Sequence, residues 1–223
     1  LKTLKSVKNQ NCKDYEHIVI DGFSRDKTFK IIKKFKSKNL KRRQLVDKNL
    51  YDGLNNGMKI CKGKFIACLH SGDIFYTNDI LKIFKEKLKK NKYNVLVSGC
   101  VFFKQNKIVR TWKTKERISF FSAFKIPHTG LFINRKIINK LGKYNISYDI
   151  SSDADFILRM LELKKTKILV TNHYSVIMSL GGLSTNLKNV FKKFSEDIKI
   201  YYKYYKFNFL FIYLCKVLYK LTQ

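Results

Sequence analysis

Residues 64–75 read KFIACLHSGDIF, and the placement of this stretch decides the fold. Phe65 to Leu69 is a continuous apolar run bounded by a Gly-containing turn. Such a run fits a buried, central parallel strand better than a half-exposed one. The stretch leads to Asp73. Ligands of open α/β sheets bind outside the carboxyl ends of the strands. A carboxylate there can hold a divalent cation, and the cation can hold a phosphate. The competing reading is an Asp that caps the next helix or shapes a turn.

Upstream, Leu1, Leu4 and Val7 have helical spacing, and a strand is expected ahead of Leu1. His17 to Ile20 is a short β-branched strand, followed by the turn from Asp21 to Asp26, with Asp26 able to cap a helix from Lys27 to Lys36. Leu45–Val46 reads as a brief strand and Tyr51 to Ile60 as a helix. Downstream, Asn78 to Lys90 is a Lys-rich amphipathic helix. This alternation argues for a parallel sheet wound with helices. After Asn91 the pattern changes. Val95–Phe103 and Lys107–Trp112 read as a hairpin, Glu116–Phe124 as a short helix, Leu131–Ile133 as a strand and Arg135–Leu141 as a helix ended by Gly142. Asp153–Leu163 is a helix, Ile168–Val170 and Tyr174–Leu180 are strands, and Leu187–Tyr205 is a long helix. The tail FNFLFIYLCKVLYKL, from Phe207 to Leu221, is short for a membrane span. It suits a basic, aromatic helix lying in the headgroup plane, or one packed on the core or on a second subunit.

Composition narrows the partners. With 47 Lys and Arg against 16 Asp and Glu, the 223-residue chain carries a net +31 and favours anionic partners. The lysines are dispersed and no nucleic-acid-reading motif is visible, so nucleic acid ranks behind a membrane or phosphate partner. Five cysteines with no C-x-x-C read as reduced core residues of a cytosolic protein, with no disulfide framework or zinc site.

Six stretches, in order, resemble the GT-A-fold family 2 glycosyltransferases, in particular the branch that builds bacterial surface polysaccharides. They are VIDGFSRDKT, VDKNLYDGLNNGM, LHSGDIF, PHTGLFINRKIINKLGKYN, SSDADFILRM and LGGLS. An ordered set of this kind is a strong signal where one motif is weak. The resemblance implies a Rossmann-like α/β fold with a mostly parallel central sheet flanked by helices. It implies a GT-A domain over residues 1–185 and a C-terminal helical segment over 186–223. The departures are the missing first strand, Gly72 where the family has an acid, and Asn49 and Phe23 where it has Gly.

Carried residue by residue, the resemblance implies that Asp21 accepts from a uracil N3–H, with a turn-forming Asp as the alternative. Asp47 and Asn55 line the nucleotide side, although Asn55 could equally satisfy backbone. Asp73 is the expected ligand of Mn²⁺ or Mg²⁺, which would neutralise charge on a diphosphate leaving group. Asp153 matches the family's base and would deprotonate the acceptor hydroxyl. Asp153 and Asp155 both fall in a helix's first turn, where the dipole alone favours acids. Asp155 is a candidate substrate contact, or a partner for Arg159 one turn on. His128, Gly182 and Ser184 are candidate substrate contacts, the glycine because it lets a ligand approach the backbone. Trp112 could stack on an acceptor sugar or serve as an ordinary core residue. His70 and His173 have no evident partner.

The expected activity is an inverting, metal-dependent transfer of a sugar from a nucleotide-sugar donor, expected to be UDP-linked. The acceptor is a saccharide or lipid-linked saccharide, met at the inner face of the cell membrane by a cytoplasmic, peripheral protein. Asp73 and Asp153 are expected to face one cleft. The rival reading is an inactive GT-A scaffold in a polysaccharide assembly complex.

Overall fold

A computed structural model describes residues 1–89, 92–104, 107–114, 118–179 and 189–222. The chain opens with α1 (Lys2–Lys8), β1 (His17–Asp21), α2 (Thr28–Lys34), β2 (Leu40–Gln44) and α3 (Leu50–Ile60). β3 (Phe65–Ala67), β4 (Ile74–Phe75), α4 (Ile80–Leu88), β5 (Val95–Lys104) and β6 (Lys107–Trp112) follow. Then come β7 (Leu131–Asn134), α5 (Arg135–Leu141), α6 (Ser152–Glu162), β8 (Ile168–Ser179), α7 (Val190–Tyr205) and α8 (Phe209–Leu221).

The α/β class holds, and the strand directions are mixed. β1 and β2 form a parallel pair. The larger sheet runs β3-β7-β5-β8-β4, with β6 also on β5. In it β5–β8 is parallel, whereas β3–β7, β5–β7, β5–β6 and β4–β8 are antiparallel. The expected mostly parallel sheet therefore holds for two pairs only.

The central strand is β5 and not the stretch from Phe65 to Leu69. Val95, Leu96, Val97, Cys100 and Val101 of β5 have no exposed surface. β3 is three residues long, only half-buried, and pairs antiparallel with β7 at the sheet edge. The side-chain period of two explains the layers on β5. Val95 and Val97 pack with Phe156, Met160, Ile200 and Tyr201 of α6 and α7. Leu96, pointing the other way, packs with Ile80, Phe84 and Leu88 of α4. Phe84 meets Phe132 edge to face at 4.8 Å, a favoured aromatic geometry.

Two further expectations shift. The second strand is Leu40–Gln44 and not Leu45–Val46. Its LKRRQ sequence conceals a strand because only Leu40 is buried, while Arg42 donates its Nε to Ile32 O at 2.8 Å and covers the surface with its stem. The two strands expected between Ile168 and Leu180 are one, β8, whose parallel pairing to β5 is interrupted by register shifts around Gly99. The hairpin of β5 and β6 is present, in register Lys104↔Lys107. Of the short helix expected over Glu116–Phe124, the first two residues lie outside the described residues, and a 3-10 segment runs over Phe120–Lys125.

Candidate functional site

Asp153 sits in the first turn of α6, which begins beneath a clamped loop. Glu196 of α7 accepts from the backbone N–H groups of Asp149, Ile150 and Ser151, each at 2.9 Å. From the other side Asn49 caps α3, accepting from Tyr51 N and Asp52 N. Its Nδ2 donates to Ile146 O at 3.0 Å and Asp149 Oδ1 at 2.6 Å. The Asp153 Oδ1 accepts from Ala154 N at 2.9 Å and lies 3.2 Å from the Tyr51 hydroxyl.

A layer of rings lies beside this acid. Tyr144 stacks on Phe156 of α6, centroids 4.2 Å apart, and its hydroxyl bonds His128 Nε2 at 2.6 Å. His128 stacks with His70 at 5.8 Å. Burial pushes both imidazoles down, His70 to about 4, with Asp153 pulling the other way on each. His70, without an evident partner in the sequence, thus belongs to the layer, and its carbonyl accepts from Asp73 N at 3.1 Å.

Asp73 lies six residues past the end of β3 and just ahead of β4. It is 3% exposed, and its Oδ1 accepts from Ser179 N at 3.1 Å. Burial pushes its carboxyl up to about 6 against that one hydrogen bond. Asp153 lines a cavity of about 70 Å³ whose described walls do not include Asp73. The Asp73 carboxylate accepts from Ser179 N, and its backbone N–H donates to the carbonyl of His70, whose ring stacks on His128.

Asp21 and Asp47 come together. Asp21 is buried and accepts from the Ser24 backbone and hydroxyl and from Gln44 Nε2 at 2.9 Å. Burial first, then Asp52 and Asp21, push the Asp47 carboxyl up. A Cβ at Gly22 would lie 2.5 Å from Asp47 Oδ2, so glycine is what allows this approach. Asn55 does what its bland reading predicts: Nδ2 donates to Tyr144 O at 3.0 Å and Oδ1 accepts from Tyr144 N at 2.8 Å.

Asp155 is a correction to its expectation as a substrate contact. It is 1% exposed, with Oδ2 on Arg159 Nε at 2.9 Å and Oδ1 on Lys203 Nζ and the Tyr204 hydroxyl at 3.0 and 2.9 Å. Burial alone would raise its carboxyl; these three donors outweigh burial and hold it below the ordinary range. Gly182 and Ser184, with the whole LGGLS loop, lie outside the described residues. Trp112 lines the cavity of Asp153 and donates Nε1 to Lys125 O at 3.1 Å. The cavity also takes Lys193, Asp197, Tyr201, Lys216 and Lys220 from α7 and α8, which no motif singles out. Of the added residues, Asn49, Tyr51, Tyr144 and Phe156 lie within quoted motifs and so carry a signal in the sequence.

A sheet with helices on both faces and an acid on a helix's first turn beside a cavity is the arrangement of a GT-A glycosyltransferase. S. aureus TarS 1–349, solved in complex with UDP, shares the fold at TM-score 0.71 and 16% identity over 90% of this chain. The mannosyltransferase PcManGT from Pyrobaculum calidifontis, solved with GDP-Man and Mn²⁺, does so at 0.67 and 12% over 90%. This chain spans 60% and 58% of those two. Residues 1–161 match the model of glycosyl transferase family 2, and the chain belongs to that family. A PGL/p-HBAD biosynthesis glycosyltransferase of Mycobacterium tuberculosis is 28% identical over 195 residues, covering 82% of this chain and 73% of the relative. An uncharacterized glycosyltransferase of Methanocaldococcus jannaschii is 28% identical over 172 residues, covering 72% and 59%.

Proposed function

We propose that this family 2 glycosyltransferase transfers a sugar, with inversion, from a UDP-linked donor to a saccharide or lipid-linked saccharide used in surface polysaccharide synthesis. The observation that carries the reading is Asp153, held by Ala154 N and Tyr51 at the wall of a cavity. Asp21 and Asp47, gathered around Gly22, hold the nucleoside end. The acceptor oxygen attacks the anomeric carbon as the bond to the diphosphate oxygen breaks. That bonding pair leaves with the nucleoside diphosphate, and the hydroxyl proton passes to Asp153. Burial pushes the His128 imidazole down, with Asp153 pulling the other way. His128 is the candidate substrate contact of the layer, with Gly182 and Ser184, outside the described residues, as the further candidates that the resemblance implies.

Among the described residues no three His, Cys, Asp or Glu side chains gather as a metal site. Mn²⁺ or Mg²⁺ is commonly held by one or two carboxylates plus substrate phosphates. Asp73, a buried carboxylate with no cationic partner described, fits that demand. When bound there, the cation would supply charge stabilisation to the departing diphosphate.

Residues 1–185 form the catalytic unit in this reading, and 186–223 a helical segment that rests on the anionic inner face of the membrane. Among the described residues no helix is long and apolar enough to cross a membrane. One observation favours the inactive scaffold instead. Gly72 has φ +95°, and a Cβ there would lie 2.7 Å from Ser179 Oγ, so the family's acid has no room at this position.

Donor hydrolysis and transfer with Mn²⁺ and a panel of nucleotide sugars separate the two. The transferase reading expects UDP release that Asp73→Ala abolishes. Asp153→Asn should slow transfer by about 10²–10⁴-fold, the usual contribution of a positioned base, with donor affinity unchanged. Donor binding without release in the wild-type protein would leave the scaffold.

A further inference from the structure

The cavity beside Asp153 is walled in part by residues beyond the family-matched stretch, which ends at residue 161. Three of them, Lys193, Lys216 and Lys220, are ammonium groups. Lys216 is buried and paired with Asp197 Oδ2 at 2.7 Å. Lys193 and Lys220 have no carboxylate within ion-pair distance among the described residues. Asp153 and Asp197 are the carboxylates of the lining, and Asp197 is already engaged. Burial, then Lys216 and Lys193, push the Lys220 ammonium down to about 7. Three lysines against two carboxylates, one of them already paired, leave the lining with more cations than its own acids balance. Partly buried cations of this kind require a counter-ion or carry a desolvation penalty.

Size and surroundings narrow the counter-ion. About 70 Å³ is room for a few waters, and so for a group the size of a phosphoryl. Phe124 lines this cavity and also an apolar groove of about 420 Å³, which runs between the Phe120–Lys125 segment and α8 past Phe121 and Phe211. A lysine-bearing cavity that shares Phe124 with an apolar groove matches a molecule with a phosphate head and a hydrocarbon chain.

We infer that the lysine-lined cavity is a subsite for the phosphoryl group of the acceptor, and that the groove along α8 receives the first stretch of the lipid chain on that phosphate. The inference rests on the transferase reading with Asp153 as base and names its acceptor class, a saccharide carried on a lipid phosphate. Held by the lysines, the phosphate anchors the acceptor next to the carboxylate that must take its proton.

Trp112, the chain's single tryptophan, lines the cavity and reports its occupancy by fluorescence. With the donor site saturated by UDP and Mg²⁺, farnesyl diphosphate is titrated into the full chain beside pyrophosphate and farnesol. The expected result is a saturable Trp112 response to farnesyl diphosphate, weaker by about tenfold or more with pyrophosphate and absent with farnesol. Lys193→Gln together with Lys220→Gln should weaken it by at least about tenfold, with UDP affinity and melting temperature unchanged. The exposed Phe211→Ser should weaken farnesyl diphosphate and leave pyrophosphate unchanged. An unaltered titration in the lysine variant overturns the subsite, and equal affinities for farnesyl diphosphate and pyrophosphate overturn the groove. Donor hydrolysis without a Trp112 response fails the subsite alone. A Trp112 response without any donor binding or hydrolysis fails the transferase reading and removes the acceptor role with it.

Discussion

Burial lifts the Asp73 carboxyl from its ordinary value to about 6, so the fold works against the charge that the proposed chemistry uses. A raised folded-state value means that the native protein holds the proton more tightly than the unfolded chain. The resulting destabilisation is absent below about pH 4, grows as pH rises, and is complete above about 6. Asp73→Asn keeps an oxygen to accept from Ser179 N and removes the charge. It should melt higher than wild type at pH 7.5, by up to about 3 kcal/mol at ~1.4 kcal/mol per pH unit, and equal it near pH 3.5. Melting curves at the two pH values, without divalent ions, check this. A functional acid that lowers stability is a familiar trade. Asp155 has the opposite sign: its stabilising contribution is present above the ordinary carboxylate value and is lost as pH falls below it. The i,i+4 spacing of Asp155 and Arg159 made that fate readable in the sequence, whereas Lys203 and Tyr204 arrive from 48 and 49 residues away. Phe23, where the family has glycine, sits at φ 58°, a conformation that glycine adopts without strain.

At the scale of elements, α6 is positioned from both flanks, by Asn49 of the α3 cap and Glu196 of α7. Glu196 satisfies three N–H groups with two oxygens. Glu196→Gln replaces one of those oxygens by a donor facing donors, and an unsatisfied buried group costs about 1–3 kcal/mol. The expected outcome is a lower melting temperature and a lower kcat for transfer with the KM for donor unchanged, measured by steady-state kinetics. An equal rise in donor KM would place the effect elsewhere. Helices were the legible elements, because 3.6-residue periodicity and end signals such as Gly142 are local. Strands were less so. β2 is written in charged residues whose stems do the covering. The apolar run from Phe65 to Leu69 resembled a central strand, yet only three of its residues pair, at an edge. Hydrophobicity reports burial, and burial at an edge beneath helices reads the same as burial in the middle.

For the whole molecule, α7 and α8 have two faces. Ile200, Tyr201, Tyr205 and Ile212 join the main core, while Phe191, Phe211, Leu214 and Leu221 stand exposed, Phe191 at 86%. With a net charge of +31, that outward face suits an anionic bilayer. Binding to vesicles containing phosphatidylserine should exceed binding to phosphatidylcholine alone. It should weaken as the Debye length falls from about 10 Å at 0.1 M salt to about 3 Å at 1 M. Leu214→Glu should reduce it at every salt concentration, and cosedimentation measures both. The motifs made Asp21, Asp47, Asp73 and Asp153 legible as a set, since each lies in a quoted segment. The cavity's lysines were not legible: among 47 basic residues, nothing local distinguishes those that a later helix turns inward.

The Glu196 clamp also imposes an order in time. On the ribosome α6 is made more than thirty residues before the carboxylate that holds its entry loop, and the Lys216–Asp197 pair closes later still. A nascent polypeptide can therefore complete every motif that marks its family and still lack a seated base. The seat of the proposed base trails translation of the matched stretch and is completed when α7 brings Glu196 to the loop.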